Sequence, residues 1–200
     1  MMRRVMILAM AVGGVVLVAG AMSVGDDAKI KEAEGLLRRA EEIVLRIEKA
    51  TGYRTPQGYD VSEHEQLRAA IEEVVRSVDS PVILREVFYT ARFRYQSWCR
   101  VCDRGPETRE GSVFELVQSG VLGRLAAIGS ESSYQVLMDL FVDTDLSWDA
   151  AAAYAIGGSI TRCGKGILPH LEQYVKQGGQ RVELAKELIE CIRGDKIYGL

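Results

Sequence analysis

Four cysteines, Cys99, Cys102, Cys163 and Cys191, are the side chains of this sequence best able to do covalent chemistry. Cys99-Arg-Val-Cys102, preceded by Trp98, has the spacing of a thioredoxin-like redox pair, in which a helix amino terminus lowers the pKa of the attacking thiol. That chemistry needs a buried strand leading into the motif and a helix leaving it. Here Phe88–Trp98 reads as helix before the motif and Asp103–Gly111 as loop after it. Structural disulfides are therefore the reading, either within the Cys99/Cys102 pair or to the later cysteines, and Cys163 with Cys191 is one such pairing. Thiol–disulfide redox or other accessory enzyme chemistry at Cys99 and Cys102 is the alternative. A zinc site would need a second C-x-x-C or paired histidines. Neither exists: His64 and His170 are the only histidines, and His64-Glu65 fails as H-E-x-x-H because the fifth position is Arg68. Both histidines are expected on polar helix faces.

Three further constellations look like sites at first sight. Asp143-x-Asp145-x-Ser147-x-Asp149 spaces its oxygens like a calcium loop, but Trp148 stands where the glycine belongs and Tyr154 where the bidentate Glu belongs. A turn followed by a helix cap explains these residues. Gly158 to Gly166 resembles a phosphate loop, yet Gly166 replaces the magnesium-binding hydroxyl and a helix precedes it, so it reads as a connection between repeats. Arg85, Arg92, Arg94, Arg100, Arg104 and Arg109 interleave with Phe88, Tyr89, Phe93, Tyr95 and Trp98. Rings in the core with arginines reaching outward account for that pattern; contact with an anionic partner through Arg92 and Trp98 is the sharper alternative. No G-x-S-x-G appears, and no catalytic residue, metal or cofactor is assigned.

The elements that carry these residues read as helices. Ile30, Ala33, Leu37, Ala40, Val44 and Ile47 recur at steps of three and four, one apolar stripe along a helix over Asp27–Lys49. This helix either packs on the domain or pairs with a partner helix as a short coiled-coil arm. Asp60 and Glu63 make a capping box for a second helix through Leu67, Ile71, Val74 and Val78. Ser80 caps a third, with Pro81 at its first position and Leu84, Phe88, Ala91, Tyr95 and Trp98 as its stripe. No alternating run bounded by turns predicts a strand.

From Ser112 the pattern repeats. Leu125-Ala126-Ala127-Ile128-Gly129 recurs 28 residues on as Ala153-Tyr154-Ala155-Ile156-Gly157. A shift of 34 aligns Leu137, Phe141, Trp148, Ala151 and Tyr154 with Leu171, Val175, Val182, Ala185 and Leu188. Each unit is a helix, a polar turn (Asp143–Asp145, then Gln177–Gly179) and a second helix, and units that cannot bury their faces alone must stack. The stretch from Gly111 to Gly194 resembles the bacterial HEAT-like repeat family. The residues that carry the resemblance are Leu137-Met138-Asp139-Leu140-Phe141, the Asp143-Thr144-Asp145 turn, Trp148 and the Ala150–Gly157 run. The resemblance implies a short α-solenoid whose concave face, with Asp149, Tyr154 and Arg181, receives a protein partner.

Of the first 21 residues, 16 are apolar, after the basic start Met-Met-Arg-Arg. With Ala19-Gly20-Ala21 as an A-x-A site this reads as a secretory signal peptide cleaved after Ala21, the alternative being a retained amino-terminal membrane anchor. Without Arg3 and Arg4 the remainder has 23 basic and 28 acidic side chains, a net charge of −5, which argues against nucleic acid. The sequence thus predicts an all-α protein, with residues 1–21 a signal peptide or anchor, 22–110 a helical bundle and 111–200 a HEAT-like α-solenoid. Its expected role is a non-catalytic interaction or scaffold module, exported to the periplasm or beyond.

Overall fold

The computed structural model describes residues 24–51, 61–101, 109–143 and 150–194. Within them the chain is helical and contains no strand: α1 (Val24–Ala50), α2 (Val61–Arg76), α3 (Pro81–Val101), α4 (Arg109–Ile128), α5 (Glu131–Val142), α6 (Ala150–Arg162), α7 (Leu168–Gln177) and α8 (Val182–Arg193), with a 3-10 turn at Gly164–Ile167 before α7. The all-α expectation holds. Cys99 lies in the last turn of α3, and α4 begins at Arg109, two residues before the expected end of the connecting loop.

Several starts and stops follow from local chemistry. The Ile83 N–H donates to Ser80 Oγ at 3.4 Å, as the cap before Pro81 requires. Ser130 and Ser133 form a reciprocal capping box at the start of α5. The Asp60 cap of α2 lies outside the described residues.

Packing is a ladder. α1, α3, α5 and α7 each pack against the next member of their row, and α2, α4, α6 and α8 do likewise. Rungs between α1 and α2, α3 and α4, α5 and α6, and α7 and α8 join the two rows. Two contacts fix the register of α3 on α5: Arg85 reaches Asp139 at 3.7 Å, and the Tyr89 hydroxyl donates to Asp143 at 2.5 Å. Both partners advance by four residues between the two contacts, so the helices run parallel. α2 and α4 are related in the same way. A Cβ on Gly120 would lie 3.5 Å from Ile71 Cγ2, and farther along both helices Arg124 bonds the Val78 carbonyl.

One continuous buried cluster runs from Ala40 on α1 to Ile189 on α8, with Phe88 and Phe141 its largest members. α4 lies in the middle of it, touching α2, α3, α5 and α6, and buries Leu116, Val117, Val121, Leu122 and Leu125. α1 is used only in part. Ala40, Ile43, Val44 and Ile47 are buried, whereas Ala33 and Leu37 of the same stripe are exposed, so the helix runs past the edge of the core.

The shift of 34 relates the first helices of the last two pairs, where Leu137 and Leu171 are both fully buried. It does not carry through the second helices. Leu188 is fully buried, whereas Tyr154, which that shift aligns with it, is 57% exposed. The buried residues of α6 (Ile156, Ser159, Ile160) match those of α8 (Ala185, Leu188, Ile189) at a shift of 29. The connection between α7 and α8 (178–181) is three residues shorter than that between α5 and α6 (143–149), which accounts for part of the change of shift. The shift of 28 likewise pairs unlike positions, since Gly129 follows the end of α4 at positive φ while Gly157 lies inside α6.

Candidate functional site

The densest polar arrangement is at the carboxy-terminal end of α5. Its last turn leaves carbonyls without intrahelical donors, and the residue that follows, Asp143, has no positive φ to close the helix (φ −59). Arg181, at the start of α8, fills that role. Its guanidinium donates to the Phe141 carbonyl at 2.7 Å and to the Asp143 carbonyl at 3.3 Å, and it lies 5.8 Å from the centroid of the Phe141 ring. Its own N–H donates to the Tyr174 hydroxyl at 3.1 Å, and the Tyr174 ring meets Phe141 edge-on. Arg181, expected to face a partner, is half-buried, with its guanidinium engaged by the carbonyls at the end of α5.

Asp143 is also bonded from α3, through Tyr89. Burial first, then the hydrogen bond to Asp143 and that carboxylate's charge, hold the Tyr89 phenol well above its ordinary pKa, with Arg85 and Arg92 opposing. The group stays protonated and donates; it is not a base. Arg85 bridges Glu86 at 3.0 Å as well as Asp139, while Phe88 beside it is fully buried. In this described part of the basic–aromatic segment, rings fill the core and arginines reach outward, as the packing alternative has it. Arg92 is partly buried. The side chain of Trp98 lies outside the described residues.

The stretch from Gly158 to Gly166, expected as a connection between repeats, is one only in part: residues 158–162 continue α6, and the 3-10 turn at Gly164–Ile167 makes the joint to α7. The hydroxyl end of the Tyr134 ring lies where a Cβ on Gly166 would stand, so a side chain there would have to push the ring aside. Tyr134 also meets His170 edge-on, and His170 Nε2 is 3.1 Å from Glu131 at the first turn of α5. His170 is therefore mostly covered, a correction to its expected place on a polar face: the first turn of α5 lies over it.

Cys163 and Cys191 are separate free thiols, both partly buried, so the bridge expected between them is not made. Cys163 instead donates to the Ser159 carbonyl at 3.3 Å, closing the end of α6. Burial pushes its pKa up to about 11 against the smaller opposing charge of Arg162, which leaves it a poor nucleophile at neutral pH. The Cys99 side chain and the whole of Cys102 lie outside the described residues, as does Asp149. Among the described residues no cluster of His, Cys, Asp and Glu could hold a metal ion, and no helix is long and apolar enough to cross a membrane.

What is left as a surface is on the row of second helices. Tyr154, Gly158 and Arg162 follow one another at steps of four along α6, which puts them on one face. Tyr154 is exposed, a Cβ on Gly158 would meet nothing within 4 Å, and Arg162 reaches over Gly123 of α4. This makes a shallow surface of small residues between an aromatic and a guanidinium. Of the expected partner residues that are described, Tyr154 is exposed and Arg92 and Arg181 are half-buried.

Sequence reasoning missed three polar groups. Arg124 donates to the Val78 carbonyl at 3.2 Å and pairs with Asp79, tying the segment that follows α2 to α4. The Tyr89–Asp143 bond is the second. The third is Gln118, buried on α4 with its amide nitrogen lacking a hydrogen-bond partner. None has a local sequence signature, because each depends on which helices become neighbours. Compared with known proteins, the chain matches no family model, no curated protein and no solved structure.

Proposed function

We propose that this chain is an exported, non-catalytic helical-repeat protein, a short HEAT-like α-solenoid that serves as a scaffold or protein-interaction module in the bacterial envelope. The observation that carries the proposal is the ladder: first helices pack on first helices, second on second, and α3 on α5 and α2 on α4 run parallel. Stacked helix pairs produce that contact pattern, and the open row of second helices is where such stacks receive partners. The quiet chemistry of the described side chains points the same way. Tyr89 is held protonated, Cys163 is a raised-pKa thiol, and Arg181 and Arg124 are engaged with main-chain carbonyls.

The partner surface centres on Tyr154, with Arg162 at its far edge. A photo-crosslinking residue at position 154 of the full-length chain, expressed in bacterial cells, is expected to give one discrete adduct in the envelope fraction. The same residue at Lys176, exposed on the other row, gives none. Equal labelling from both positions would overturn the placement of the surface. A reversibly reducible, low-pKa Cys99 would overturn the scaffold reading in favour of redox chemistry. Amino-terminal sequencing of the exported form is expected to begin at Met22; retention of Met1 with the membrane fraction would replace the signal peptide by an anchor.

A further inference from the structure

We draw no further inference here: the strongest candidate, the uncovered face of the first half of α1 around Ala33 and Leu37, continues the buried stripe past the edge of the core, but nothing in the structure shows what covers it.

Discussion

The end of α7 and the end of α5 solve the same problem by opposite means. α7 runs into Gly178 at φ 74, a left-handed residue that closes the last turn from within its own chain neighbourhood. α4, α6 and α8 likewise meet Gly129, Gly164 and Gly194 at positive φ within two residues of their ends. α5 has no such glycine, and Arg181 reaches its carbonyls from the start of α8, 40 residues from Phe141. Arg124 of α4 likewise reaches the Val78 carbonyl from another helix, but that carbonyl lies two residues past α2, whose own last turn is closed locally by Ser77. A glycine cap is indifferent to the rest of the fold, whereas an arginine cap forms only when another helix is already in place. Coupling between helix pairs through a helix end is therefore expected at the end of α5.

The largest effect is expected at Arg181. Arg181→Met keeps the aliphatic stem over Phe141 and removes two charge-assisted bonds to partly buried carbonyls, a loss of about 2–3 kcal/mol. Urea unfolding is expected to show the midpoint falling with little change in slope. Tyr89→Phe, which removes one hydrogen bond to the Asp143 carboxylate at the same helix end, should couple to it in a double-mutant cycle. Strict additivity of the two would mean that the end of α5 is not one unit, and the contrast with α7 would fail.

Gly178→Ala comes next. Nothing lies within 4 Å of the added Cβ, so the left-handed backbone alone sets the cost, about 1–2 kcal/mol. Because the cap is local, its effect should add to that of the distant Arg124→Met. Arg124→Met itself is expected to lose about 1 kcal/mol, mostly from the Val78 carbonyl. Its ion pair adds little because the Asp79 side chain is 88% exposed. A midpoint for Arg124→Met lower than that for Arg181→Met would invert the ranking of the two remote arginine contacts.

What could be read from the sequence follows the same division. Ser80 before Pro81, the second half of the α1 stripe, Leu84, Phe88 and Ala91 of the α3 stripe, and the polar turn after α7 are local signals, and each lies where its chemistry predicts. Arg181 and Arg124 are indistinguishable in sequence from solvated arginines, because the carbonyls they serve are far from them along the chain. The repeat misled for a related reason. Leu137 and Leu171 occupy equivalent buried positions, but a shorter turn slides α8 against its helix pair, and the shift of 34 then set an exposed Tyr154 against a buried Leu188. Gly158 to Gly166 was legible as a connection only in its second half, since residues 158–162 continue α6. The need for Gly166 was not, since it comes from the Tyr134 ring standing where a side chain would go. Of the candidate surface, Tyr154 was singled out from the sequence and Gly158 and Arg162 were not, although their spacing of four is local, because which face of α6 packs on α4 is not.

The smallest effect tests whether the glycine-closed ends are as self-contained as they look. At the end of α6 the Cys163 thiol donates to the Ser159 carbonyl just before Gly164, and burial holds it protonated up to about pH 11 rather than its ordinary value near 9. A group whose folded pKa is raised stabilises the fold fully below its unfolded pKa, and that contribution is lost as pH rises through the folded value. The wild-type Tm should therefore decline between about pH 9 and pH 11, and Cys163→Ala should decline less over the same window. The difference is small because the thiol is only partly buried. Tyr89→Phe serves as the control, since the Tyr89 phenol is raised in the same direction from a higher starting pKa, and its removal alters the upper part of the profile. If Cys163→Ala and the wild type lose Tm in parallel, the thiol contributes nothing at the end of α6 and Gly164 closes that helix unaided.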